Sequence, residues 1–396
     1  MIREPADIRE HSLTTPQTGS AIEDHTAESR SDRLVSLDVM RGLIVAAMIV
    51  VNFSLGEDGF GGFPVYATLV HAEWIGFTFA DFVFPAFLFM VGMSISLTAP
   101  SNAGLDSASM RRICMRTIRL LILGFLLSNF LYQWIHGWAF DGRFIILGVL
   151  QRIALCYGAA AILYRTVSVR TLGVLAGTLL VLYWPLTLLP TPEHADGNLA
   201  VPGMDFVAWV DRTVLGRHVW VAGPSGYDTT GLLSTLPAIA QCLLGVSAGR
   251  LFSKGAKTAK GLARFIIAGV LMSIAGLMWG HYFPIIKTLW TSSFVLLSTG
   301  LSMVVLAICQ ALLNRDLLPV LIARFFVVFG RNAILAYALQ FILDTIILLP
   351  IVPALHRLLL SVTSPPFASL CIAIAFMILI WVPLAVLYRH NRIVHI

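Results

Sequence analysis

From residue 33 to its end the chain consists of apolar runs of about twenty residues, one after another. A run of that length, rising ~1.5 Å per residue as an α-helix, spans about 30 Å of hydrocarbon. Backbone N–H and C=O groups in hydrocarbon must find their partners inside the protein, which leaves only helices and closed barrels as spanning structures. Barrel strands alternate apolar and polar positions, and these runs do not. The expected fold is therefore all-α, a polytopic integral membrane protein of about 10 transmembrane helices. They are placed at 36–55, 74–98, 116–135, 143–164, 171–189, 231–252, 264–283, 290–312, 332–350 and 366–388. Composition agrees: 58% of residues are hydrophobic and 12% charged, where a soluble domain carries about a quarter charged.

Residues 1–33 are polar, lack the apolar core of a signal peptide, and read as a disordered cytoplasmic tail. Residues 34–396 form the transmembrane domain. The net charge of +6 does not point to nucleic acid, because the basic residues cluster at the ends of apolar runs, where they act as topology signals. The tail, the loops after even-numbered spans and the C-terminus hold 21 of the 27 Lys and Arg residues, so both termini are expected to be cytoplasmic and the chain's main partner is the lipid bilayer. The longest loop, 190–230, then faces outward, and its length suits it to cover a site.

The cysteines, Cys114, Cys156, Cys242, Cys309 and Cys371, are odd in number and scattered through the apolar runs, so they read as small core hydrophobes. No zinc-ligand spacing, HExxH or Walker loop is present, and no metal is expected. No internal repeat announces a rocking transporter.

The stretch LVHAEWIGFTFADFVFP (69–85) places His71, Glu73 and Asp81 in an otherwise apolar setting, where titratable groups are read by default as functional. With Trp74 at the interface and the helix continuous, Asp81 falls roughly 10 Å inside. His71 is a proton acceptor or an interfacial side chain with a wet tip, and Glu73 is a substrate contact or faces water. Asp81 at depth needs a partner, and Arg152 in GVLQRIALCY is the expected one, as an interhelical lock or as part of a substrate site. Asn52 ends the first span near the Gly-rich turn GEDGFGGF. Gln340 and Asp344 share one helical face. Asp228 precedes the sixth span.

The blocks RLVSLDVMRG (33–42), VNF (51–53), HAEWIGFTFADFVFPAFLFMVG (71–92), GVLQRIALCY (148–157), GLLSTLPAI (231–239), LWTSSFVLL (289–297) and FGRNAILAY (329–337) occur in consistent order, and together they resemble the heparan-alpha-glucosaminide N-acetyltransferase family and its bacterial relatives. The resemblance implies a transmembrane acyltransferase domain over 34–396 that moves an acetyl group from cytoplasmic acetyl-CoA to an amino sugar across the membrane. It further implies a multi-pass protein of the bacterial inner membrane and a homodimer. The family's active histidine falls on His71 and its companion asparagine on Asn52, which gives a base for the attacking amine and a donor for the oxyanion. A ping-pong route through acetylated His71 remains open. Glu73, Asp81, Arg152 and Asp228 are the expected sugar contacts, and Arg33, Arg41 and Arg331 the expected contacts to the CoA phosphates. The chain departs from the family at Thr229 and Thr230, where Pro-Glu is common, and at Ile286, where asparagine is usual. Two other readings of the polar residues are an amino-sugar permease and an O-acyltransferase of an envelope glycan.

Overall fold

A computed structural model describes residues 19–53, 63–98, 100–131, 143–193, 198–256, 258–343 and 349–393, with backbone alone at 19–34, 130, 131, 349 and 350. The described residues are helical apart from loops and one isolated bridge between Val221 and Tyr227. The helices are α1 (Gly19–Phe53), α2 (Phe79–Thr98), α3 (Ser107–Phe125, extended by a π-helical turn Leu126–Leu131), α4 (Val149–Thr166) and α5 (Val169–Thr187). There follow α6 (Phe206–Leu215), α7 (Thr235–Gly255), α8 (Ala259–Gly280), α9 (Ser292–Asn314), α10 (Val320–Arg331), α11 (Ala333–Leu343), α12 (Leu349–Leu360) and α13 (Pro365–Arg389).

Each expected span has a helix. Among the described residues seven helices are long and apolar enough to cross a membrane: Val35–Phe53 of α1, and α2, α5, α7, α8, α9 and α13. The expected third and fourth spans, α3 and α4, are less apolar, because α3 carries Arg111, Arg112, Arg116 and Arg119 and α4 carries Arg152 and Arg165. The expected ninth span, 332–350, holds α11, and residues 344–348 of it lie outside the described residues. Just before it the chain bends by 80° between α10, which was not expected as part of a span, and α11, and the pair makes an eighth span if counted together. Asn332, at the break, leaves helical geometry with φ −120° and ψ 38°. The second span begins at Phe79 instead of 74, which leaves residues 70–78 as irregular backbone.

Two helices form the centre, with 72% of the apolar window of α2 and 67% of that of α7 buried, against 22% for α5 and 28% for α8. Close approach of α2 and α7 depends on glycine. A Cβ on Gly92 would strike the Cys242 carbonyl, and one on Gly245 the Phe89 carbonyl. The backbones thus meet directly, the usual way helices associate where lipid removes the hydrophobic drive. In the same manner α1 meets α10, with Gly42 against the Phe326 carbonyl and Gly330 against that of Asp38. Around this frame one core joins α1, α2, α7, α8 and α9 through residues such as Met40, Phe89, Phe252, Phe265 and Leu306. A second joins α2, α4, α5 and α7, and a third packs α1 and α10 on α13. One buried polar chain crosses the bundle: the Trp290 indole donates to Gln241 Oε1 at 2.9 Å, and Gln241 Nε2 donates to Ser298 Oγ at 3.0 Å. Three of the cysteines, Cys156, Cys242 and Cys309, are buried, but Cys114 is exposed on α3.

Loop 190–230 is not a plain connector. It contains α6, whose first turn is capped by Asp205 accepting from Ala208 N at 2.9 Å. Arg212 of α6 gathers the loop by donating to the carbonyls of Gly203 and Gly226, each at 2.7 Å, and by pairing with Glu193.

The glycine contacts lead to a paired test. Gly245→Ala, which presses a methyl on the Phe89 backbone, should lower thermal stability in detergent by the about 1–3 kcal/mol typical of overpacking. Gly177→Ala on lipid-facing α5, where an added Cβ meets nothing within 4 Å, should leave the melting midpoint unchanged or slightly raised.

Candidate active site

The irregular segment 70–78 exists because its polar groups converge on one carboxylate. Thr78 and Asp81 stand in the T-x-x-D spacing of a helix start, and Asp81 Oδ2 accepts from the Thr78 backbone N–H at 3.0 Å and its hydroxyl at 3.1 Å. The same oxygen accepts from Ala72 N at 3.1 Å, while Thr78 Oγ1 donates back to the Val70 carbonyl at 2.8 Å. Asp81 is fully buried and lies in the first turn of α2, not two turns into a helix begun at Trp74.

Its second oxygen faces His71 and Lys287. Oδ1 lies 2.9 Å from His71 Nδ1 and 3.6 Å from Lys287 Nζ. Lys287 Nζ in turn lies 3.0 Å from Nδ1 and 2.9 Å from Nε2 of His71. The expected Asp81–Arg152 pair is not formed, because Asp81 finds its partners in the two loops above α2. Burial holds the His71 imidazole below its ordinary range, with Lys287 adding to this effect and Asp81 opposing it. Burial likewise pushes the Lys287 ammonium down to about 8, against the pull of Asp81. At neutral pH the ring is therefore largely uncharged beside a largely charged lysine.

Lys287, which the sequence does not single out, is part of the site in the structure. The turn that carries it is fixed from several sides. Trp290 N donates to the Lys287 carbonyl at 3.0 Å, Thr291 N to that of Ile286 at 3.2 Å, and Ile286 N to Thr291 Oγ1 at 3.1 Å. Trp290 adopts φ +53°, the left-handed region that bulky residues rarely enter. Gly76, at φ +142°, donates its N–H to the Ile285 carbonyl at 2.9 Å and joins the two loops.

Loop 190–230 closes over one side. The Trp74 indole donates to the Leu199 carbonyl at 2.8 Å and meets Tyr227 edge-on, with ring centroids 5.2 Å apart. Trp74 is buried in a cluster with Tyr183, Leu199, Val207, Phe283, Ile286 and Leu289. Ile286, where the family usually has asparagine, is thus an apolar packing residue.

The other expected site residues lie in different places. Glu73 is exposed beside Trp74. Asn52 Nδ2 donates to Gln340 Oε1 at 3.4 Å, and no hydrogen bond joins it to His71 among the described residues. Asp344 and most of the GEDGFGGF turn lie outside the described residues. Arg152 is buried, donates to the Gly231 carbonyl at 3.4 Å and to Ser234 Oγ, and lies 4.9 Å over the Trp290 ring. Asp228 is spent on its own loop, accepting from Trp220 N at 3.1 Å and from the N–H and hydroxyl of Thr230 at 2.7 Å and 3.1 Å. Arg41 and Arg331 converge on Asp38 near the start of the apolar stretch Val35–Phe53 of α1, at 2.8 Å and 3.7 Å. Arg41 also donates to Ser94 Oγ at 2.8 Å, whereas Arg331 is 40% exposed and lies 5.4 Å over the Tyr388 ring. The side chain of Arg33 lies outside the described residues. Among the described residues no three His, Cys, Asp or Glu side chains converge as metal ligands would.

The charges around His71 set opposite expectations for two variants. In histidine NMR titrations assigned with His71→Gln, wild-type His71 should titrate below 6.5. Lys287→Gln removes a repelling cation and should raise that value; Asp81→Asn removes the stabilising carboxylate and should lower it.

The family model described as heparan-alpha-glucosaminide N-acetyltransferase, catalytic, matches residues 33–276. The chain is 28% identical over 357 residues to heparan-alpha-glucosaminide N-acetyltransferase of Homo sapiens, with 77% of this chain and 52% of that protein covered. Against the protein of the same name from Mus musculus it is 27% identical over 322 residues, with 68% and 48% covered. The chain spans about half the length of these curated relatives. With its multi-pass helical fold, its His71–Asp81–Lys287 cluster and a family match across more than half its length, the chain belongs to the heparan-alpha-glucosaminide N-acetyltransferase catalytic family.

Proposed function

We propose that this protein is a transmembrane N-acetyltransferase, moving the acetyl group of cytoplasmic acetyl-CoA to the amine of glucosamine, or of a glucosamine-terminated saccharide, on the far side of the bacterial inner membrane. The observation that carries this reading is the His71 ring, whose Nδ1 lies 2.9 Å from Asp81 Oδ1 while the amine of Lys287 stands against it, 3.0 Å from Nδ1 and 2.9 Å from Nε2. An acceptor amine brought beside Nε2 can pass its proton to the ring as it attacks the thioester carbonyl. Asp81 orients the ring, keeps the proton on Nδ1 and stabilises the imidazolium that forms. The ammonium of Lys287 discourages premature protonation of the ring and offers positive charge near the developing oxyanion. Asn52 is a second donor for that oxyanion, released from Gln340 when the substrates bind.

Acetyl-CoA is a substrate in this scheme, and its nucleotide is too polar to enter hydrocarbon. Arg331, oriented by Asp38 and neighbouring Arg41, offers a guanidinium edge suited to phosphate at the basic end of the apolar stretch of α1. From Arg41 to Asn52 is eleven residues of helix, about 16 Å, a span suited to the long, thin pantetheine arm. The orientation with both termini cytoplasmic rests on the excess of Lys and Arg on that side.

Incubation of purified protein with labelled acetyl-CoA and glucosamine tests the reading. Acetylated sugar from wild type, reduced roughly 100-fold or more in His71→Ala, is expected for loss of a general base; sugar flux into proteoliposomes with no acetyl product would sink it. The acid limb of kcat/KM should fall below pH 6.5, because activity is lost as pH drops through the depressed titration of His71. Arg331→Ala should raise KM for acetyl-CoA about tenfold, the cost of one charge-assisted contact of ~1.4 kcal/mol, and leave KM for glucosamine unchanged.

A further inference from the structure

We propose that Lys287 is itself an acetyl acceptor, so that with no amino sugar bound the protein modifies its own active site to Nε-acetyl-lysine. This rests on the N-acetyltransferase reading of the same site. An amine that is to be acetylated must stand within hydrogen-bond reach of the base, and Lys287 Nζ does so, 3.0 Å from Nδ1 and 2.9 Å from Nε2 of His71. Its reach is not accidental. The turn 286–291 is pinned by Trp290 and Thr291, and Asp81 holds Nζ from the other side at 3.6 Å. The side chain remains a quarter exposed, so a thioester that reaches His71 also reaches Nζ.

Only the neutral amine is nucleophilic. Burial brings Lys287 down to about 8, so about a tenth of it is neutral at pH 7, hundreds of times more than for an ordinary lysine. In the step, the Nζ lone pair forms a C–N bond to the thioester carbonyl and the C–S bond breaks. The proton leaving Nζ passes to His71 and then to the departing CoA thiolate, giving CoA thiol and a neutral amide with no change in oxidation state. The product lacks the cation that faces Asp81 and fills the position needed by the sugar amine. Acetyl-CoA supplied without acceptor should thus switch the enzyme off, and the sugar should protect it.

The full-length protein is incubated with acetyl-CoA, with and without glucosamine, and followed by intact-mass and peptide mass spectrometry, while sugar acetylation is measured in parallel. Expected is one acetyl group per chain on Lys287, stable to hydroxylamine, which would strip an acetyl-imidazole. It should form roughly 100-fold more slowly in His71→Ala and be suppressed by glucosamine, while exposed Lys254 and Lys260 stay unmodified. Sugar acetylation with Lys287 untouched overturns the inference and leaves the enzyme reading standing. Equal labelling of Lys254, Lys260 and Lys287, or an undiminished rate in His71→Ala, also overturns it, since that is indiscriminate chemistry. Absence of both products removes the enzyme reading and this inference together.

Discussion

A carboxylate sealed from water at the start of a central helix is the constraint on which the rest of this site depends. Asp81 cannot stay charged there without compensation, and the compensation comes from two loops distant in sequence. Its Oδ2 gathers the amides of Ala72 and Thr78, which satisfies two backbone donors of the non-helical segment 70–78. Its Oδ1 collects His71 and Lys287, and so the requirement to neutralise one charge also sets the geometry of a proton acceptor. Structural and chemical demands meet in the same atom.

Much of this was legible from the sequence, for identifiable reasons. Apolar runs of membrane length dictate helices, and the positions of α1, α2, α5, α7, α8, α9 and α13 follow from them. His71 and Asp81 stood out because titratable groups in hydrocarbon are costly. What failed was pairing. Two stranded charges were matched to each other, Asp81 to Arg152, but Arg152 finds the Trp290 face and Ser234 instead. Lys287 lies 216 residues from His71, and nothing local in PIIKTLW reveals that its turn folds back over α2. One usable signal was overlooked: the T-x-x-D spacing of Thr78 and Asp81 marks a helix start and would have set 70–78 apart as a loop. The 80° bend at Asn332 falls where Gly330, Arg331 and Asn332 interrupt the apolar pattern, a second signal in the sequence.

The two polar clusters along α1 sit at opposite ends of its apolar stretch Val35–Phe53. Asp38 gathers Arg41 and Arg331 near one end, and Asn52 meets Gln340 at the other. Both partners, Arg331 and Gln340, come from the pair α10 and α11, on either side of the bend. The glycine contacts of Gly42 and Gly330 bind α10 tightly to α1. The bent pair thus joins the two clusters, and the Arg41–Ser94 hydrogen bond ties the first of them to α2 as well.

The left-handed backbone at Trp290 has an evolutionary side. Conformation alone favours glycine or asparagine at that position, whereas the indole is needed by Gln241 for its hydrogen bond and by Arg152 for its cation–π contact. A residue that satisfies the main chain abandons the side-chain partners, and most that could fill the cavity would still strain the main chain. Single-step drift at this site is thus blocked in both directions, and a lineage could leave tryptophan only by rebuilding Gln241, Arg152 and the neighbouring turn in concert.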